Sequence, residues 1–85
     1  MKEYTLELFD SRNTSTTEQY ESTSKNTART HAKLLSRMRK YHKVIIYAGK
    51  GIISQDWEQY EGGKKTEWSY PDGLGGIMTA TAGNY

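Results

Sequence analysis

The 85-residue chain has no cysteine, a single proline and no apolar run close to the roughly 18 residues needed to span a bilayer. Without cysteine, disulfides and thiolate metal sites are excluded, and the redox compartment stays open. Met1 leads directly into an amphipathic stretch rather than an apolar signal core, so the expectation is a cytoplasmic protein with no membrane contact. Apolar residues are also scarce, at 34%. A chain this short buries only about 60–65% of its unfolded surface, so one domain with a thin core is expected. The seven tyrosines, two tryptophans and the Val44-Ile45-Ile46-Tyr47 run supply that core.

The most informative shortage is of acid. Residues 23–50 carry Lys25, Arg29, Lys33, Arg37, Arg39, Lys40, Lys43 and Lys50 without one Asp or Glu. Each flank holds two cations against five acids, so the net charge of +2 conceals a segregated pattern. Segregated charge makes a local field, and such a field usually serves an anionic partner.

Residues 2–9 alternate, with Tyr4, Leu6 and Leu8 on one side and Glu3, Thr5 and Glu7 on the other, which is the pattern of a half-buried strand. Asp10-Ser11-Arg12-Asn13 supplies turn chemistry, and the Thr-rich residues 14–22 suit a polar strand returning beside the first. A helix over about 27–42 follows, with Asn26 as the expected N-cap. At 100° per residue, Ala28, His31, Ala32, Leu35, Met38 and His42 form one stripe, flanked by Leu34 and Tyr41. Arg29, Lys33, Arg37 and Lys40 fall on the opposite side as a row of cations.

Val44 to Ala48 reads as a central buried strand, and Gly49-Lys50-Gly51 as a turn. Ile52 and Ile53 open another strand that continues through Trp57 to Glu61. Gly62-Gly63 then signals a two-residue hairpin. That turn sets Trp57 opposite Trp68, Gln59 opposite Thr66 and Glu61 opposite Lys64. It also sets Glu58 opposite Glu67, a small electrostatic penalty. Pro71-Asp72-Gly73 ends the strand, and the Gly-rich residues 73–85 read as a flexible tail. The expected architecture is therefore α+β: a single domain over 1–72, in the order ββαβ plus a hairpin. An antiparallel sheet of about four to five strands would carry one amphipathic helix on one face, with the cationic row turned away from the sheet.

Lys and Arg favour helices, so a charge run can be only a solvated face. Yet like charges at i and i+4 repel, and a merely soluble helix would interleave Glu. Arg29, Lys33, Arg37 and Lys40, extended by Lys25 and Lys43, are the candidate partner- or nucleic-acid-binding residues. Asn26 is the only Asn or Gln on the helix, too little for base readout. His31 and His42 are eleven apart, not at a chelating spacing, and fall on the apolar stripe. No metal site and no cofactor are expected. Gly49-Lys50-Gly51 lacks the phosphate-loop pattern. Asp56, Glu58 and Glu67 read as surface acids rather than a catalytic pair. No nucleophile stands with a base and an acid, so no catalytic residue is assigned and an enzyme is not expected.

In layout, Thr17 to Ser22, the Ala28 to Lys40 helix and the segment Glu58 to Trp68 resemble small phage-encoded anti-CRISPR proteins. The resemblance implies an inhibitor, working inside the host cell, that docks on a CRISPR effector or similar nuclease complex. The expected function is a non-enzymatic protein docking its cationic helix face on an acidic or nucleic-acid-handling protein surface. The alternative is a small DNA- or RNA-binding module using the same face. A homodimer through the edge of the polar second strand is a third reading.

Overall fold

A computed structural model describes residues 1–82. The elements are β1 (Lys2–Phe9), β2 (Ser15–Ser22), α1 (Lys25–Ser36), β3 (Lys43–Ala48), β4 (Trp57–Glu61), β5 (Lys64–Pro71) and β6 (Ile77–Thr81). All strands join one antiparallel sheet in the order β2-β1-β3-β4-β5-β6. The helix lies on one face, so the α+β class holds, with six strands instead of four to five.

The alternation in β1 decides which face the helix covers. Tyr4, Leu6 and Leu8 point toward α1 and, with Val44, Ile46, Tyr60, Ala28 and Ala32, form the core. The small alanines let the helix sit close to the sheet, and Leu35 and Tyr41 close its sides. The other face carries Glu7, Phe9, Ile45, Tyr47 and Trp57 with no helix over it. There Thr5 is buried under residues 49–51: its Oγ1 donates to the Gly49 carbonyl at 2.9 Å and accepts from the Gly51 N–H at 2.8 Å. At the β1–β2 turn, Asp10 Oδ1 accepts from the N–H groups of Arg12 (2.9 Å) and Thr14 (3.0 Å).

The helix departs from expectation at both ends. Ser24, in extended conformation, is the N-cap, its Oγ accepting from the Thr27 N–H at 3.2 Å. Such a cap contributes about 1 kcal/mol. Asn26 is instead the second residue of the helix and accepts from Arg29 Nη1 at 3.1 Å. At the other end α1 stops at Ser36 rather than continuing to 42. The β4–β5 turn takes over its terminal groups: the Gly62 N–H donates to the Ser36 carbonyl (3.2 Å) and the Gly63 N–H to Ser36 Oγ (2.9 Å). Met38, Tyr41 and His42 therefore leave the helical stripe, and Leu34 and Met38 are exposed.

Two strand expectations also change. Ile52 and Ile53 lie in an exposed loop, and β4 begins only at Trp57. In the β4–β5 hairpin Glu61 pairs with Lys64 as expected, but the register shifts by one between Gln59 and Tyr60. Beyond that bulge Gln59 faces Glu67 and Glu58 faces Trp68, so the two tryptophans point to opposite faces. The shift separates Glu58 from Glu67. It also leaves Thr66 as the extra residue, its Oγ1 accepting from Gln59 Nε2 at 3.1 Å.

The sixth strand comes from the segment expected to be a loose tail. Asp72 Oδ1 accepts from the N–H groups of Leu74 (2.7 Å) and Gly76 (2.9 Å), and these bonds hold its pKa below the ordinary carboxylate value. Gly73 and Gly75 supply the positive φ angles, 84° and 88°, that this turn needs. The glycines thus build a turn that returns Ile77–Thr81 onto β5. Residues 83–85 of the expected tail lie outside the described residues.

Candidate anion-binding groove

The six cations expected as one binding face are distributed to different tasks. Lys25 pairs with Asp56 at 3.1 Å. Lys43 lies on the sheet face away from the helix, its Nζ 4.3 Å from the Phe9 ring centroid. Lys40 follows the helix end and sits 5.4 Å from the Tyr41 ring. Arg29 does not face away from the sheet. Its Nε donates to Glu58 Oε1 (2.9 Å) and Oε2 (3.0 Å), and its Nη2 to Oε2 (2.8 Å). Of the row, Lys33 and Arg37 remain exposed and unpaired among the described residues.

Glu58 is not a surface acid. It is 5% exposed, and Tyr60 Oη adds a 2.6 Å hydrogen bond to its Oε1. Burial alone would raise the Glu58 carboxyl, but the hydrogen bonds from Arg29 and Tyr60 outweigh it and hold the pKa below the ordinary value. The hydrogen bond to Glu58 in turn raises Arg29. Burial, followed by the hydrogen bond to that carboxylate, raises Tyr60 well above an ordinary phenol. The cluster joins α1 to β4, and no buried side-chain polar atom among the described residues lacks a partner.

With Glu58 neutralised, the space between α1 and the β4–β5 hairpin is electropositive. Asn26, Arg29, Thr30 and Lys33 line it from the helix, and Tyr60, Gly63, Lys64 and Lys65 from the hairpin, around an open groove of about 580 Å³. Lys33, Lys64 and Lys65 make no ion pair among the described residues. Arg37 extends the row across the hairpin turn. Its side chain passes so close to Gly63 that a Cβ there would stand 2.5 Å from Arg37 Cγ. Lys65, opposite the core residue Tyr60, is on the helix side, the register shift turns Trp68 to the same side, and Lys65 Nζ lies 4.7 Å from the Trp68 ring centroid. Glu61, opposite Lys64, is on the other face of β4 from Tyr60, its Oε1 accepting from Gln59 Nε2 at 3.2 Å.

Lys64, Lys65 and Trp68 are absent from the sequence-derived site. Their signal is the Gly-Gly-Lys-Lys run, but its charge becomes part of a site only when the helix end docks on the turn.

The two histidines fall in different settings. His31 stacks on Tyr20 with ring centroids 4.1 Å apart and has Nε2 3.4 Å from Glu18 Oε1, while His42 is exposed. Among the described residues no three His, Asp or Glu side chains gather as a metal site, and no helix is long and apolar enough to cross a membrane. A cavity beneath Tyr4, Ile46 and Trp57 measures about 10 Å³, at the limit for one water. No family model matches the chain, and comparison with curated proteins and with solved structures returned no match. Function therefore rests on the chemistry of the groove.

Proposed function

We propose that this is a non-enzymatic binding protein whose groove between α1 and the β4–β5 hairpin holds acidic side chains of a partner protein. The observation that carries this reading is the gathering of Lys33, Lys64 and Lys65 around one open groove, with Arg37 beside Gly63 at its edge and no acid among the described residues paired to any of the four. Uncompensated like charges repel, and an anionic surface seated among them removes that repulsion. Glu58, bonded to the groove residues Arg29 and Tyr60, is held by them and is not free to act as a base. The layout resemblance to anti-CRISPR proteins extends the proposal: the partner is part of a nuclease complex, and occupancy of the groove inhibits it as an anti-defence function.

One observation favours a second reading, direct nucleic-acid binding. Lys65 over Trp68 sets a cation beside an aromatic surface, the combination that stacks bases and holds phosphates. Fluorescence anisotropy across a salt titration separates the two, with a labelled glutamate-rich peptide compared against random single- and double-stranded oligonucleotides. The proposal expects micromolar binding of the peptide at physiological salt and none of the oligonucleotides. The reverse pattern transfers the groove to nucleic acid, and binding of neither contradicts both readings.

A further inference from the structure

The sheet has two edges, and they differ in charge. The β2 edge carries Glu18 and Glu21, and the meeting of two such strands would bring like charges together. The β6 edge, Ile77-Met78-Thr79-Ala80-Thr81, has no charge, no proline and no covering element among the described residues. Natural edge strands are usually guarded by Lys, Pro or a bulge, and this one has none of them. Its backbone register is legible from two bonds: the Asp72 N–H donates to the Gly76 carbonyl (3.1 Å) and the Ala82 N–H to the Thr66 carbonyl (2.8 Å). Antiparallel pairing alternates, so the even-numbered residues of β6 bond to β5, while Ile77, Thr79 and Thr81 direct their N–H and C=O groups outward.

We propose that β6 is a self-association edge, at which a second copy of this chain pairs antiparallel about a two-fold axis through Thr79. In that register Thr79 faces the partner's Thr79, and Ile77 faces the partner's Thr81. About six backbone hydrogen bonds form between the outward groups. An uncharged strand is self-complementary under such an axis, since no like charges meet. On the helix side Met78 meets the partner's Ala80. The half-exposed Met78, with Tyr70 Oη 3.8 Å from its sulfur, then becomes part of a continuous floor. The helix does not reach β6, so nothing on this face blocks the approach. A five-residue strand pair sits at the small end of specific interfaces, so the association should depend on protein concentration. The two-fold would place both grooves on the same side of one sheet.

Sedimentation velocity from micromolar to millimolar protein tests it, with circular dichroism to verify folding. The wild-type chain should shift from monomer to dimer with concentration. Thr79→Pro removes only an outward N–H and should remain folded and monomeric throughout, as should Thr79→Lys, which sets two cations at the axis. Because the chain has no cysteine, Thr79→Cys provides a clean register probe: it should cross-link to a covalent dimer on oxidation, while Thr17→Cys on β2 should not. A wild-type chain that stays monomeric at every concentration would overturn the proposal. So would a Thr79→Pro variant that dimerises like the wild type, or cross-linking through Thr17→Cys in place of Thr79→Cys.

Discussion

Arg29→Ala is expected to destabilise the fold by about 2–4 kcal/mol, more than any other replacement of a charged residue in the chain. The reason is the carboxylate left behind. Removing one partner of a buried pair usually costs about 3–5 kcal/mol, because the other charge stays out of water. Glu58 is held at 7% side-chain exposure but would keep its bond from Tyr60, and Arg29 is itself 34% exposed, so solvent tempers the loss. For a domain whose total stability is near the low end of about 5–15 kcal/mol, that change approaches unfolding. Urea denaturation of the variant is the direct check. The double variant Arg29→Ala/Glu58→Leu should be more stable than Arg29→Ala alone, since no charge is stranded. Equal stability would show that Glu58 is already hydrated.

The same pair fixes an acid limit. The folded Glu58 pKa is lowered from 4.5, so its contribution is fully present above that value and is lost as pH falls through the folded pKa. Stability of the wild type should therefore drop faster below the ordinary carboxylate range than that of Glu58→Gln.

Reversing Lys33, Lys64 and Lys65 to glutamate is expected to abolish binding of an acidic partner, by at least about 100-fold, with the fold intact. All three side chains lack ion-pair partners among the described residues; Lys65 gives up its place over Trp68 and its favourable field at Glu58, so circular dichroism verifies that the variant is folded. Each reversal replaces an attraction with a repulsion, and in a shared groove these add with the same sign. Replacing Lys25, Lys40 and Lys43 with alanine should weaken binding far less, because none of them lines the groove. If the ligand is instead duplex DNA, triple alanine replacement in the groove should make the log–log salt slope shallower by about 3. Equal losses from the two triple sets would return the site to a diffuse cationic surface.

Much of the fold is legible in local pattern, and the boundaries follow pairing that local pattern cannot supply. The alternation of Tyr4, Leu6 and Leu8 locates β1, and the β-branched Val44-Ile45-Ile46 run locates β3, because one or both faces are buried. The end of α1 depends on Ser36 meeting Gly62 and Gly63, contacts made across 26 and 27 positions of sequence in the folded chain. The hairpin register fails for a similar reason. Turn geometry sets Glu61 against Lys64, but Glu58 is drawn toward Arg29 on the helix, and a bulge brings the two constraints into agreement. Glycine richness after Pro71 reads as looseness until Asp72 is seen to accept the N–H groups of Leu74 and Gly76. The site is half legible: the charge segregation is in the sequence, but helical projection cannot show which cations find acids elsewhere in the fold. Arg29 and Lys25 do, whereas Lys33 does not, and Lys64 and Lys65 join it from the hairpin.

The most direct test of the groove as the binding site is a two-dimensional amide NMR titration with a glutamate-rich peptide. Chemical-shift changes should concentrate at Lys33, Arg37, Gly63, Lys64 and Lys65 and at the Trp68 indole N–H, all fading as salt is raised. Shifts confined to Phe9, Lys43 and Tyr47 on the helix-free face, or no shifts at millimolar peptide, would contradict it.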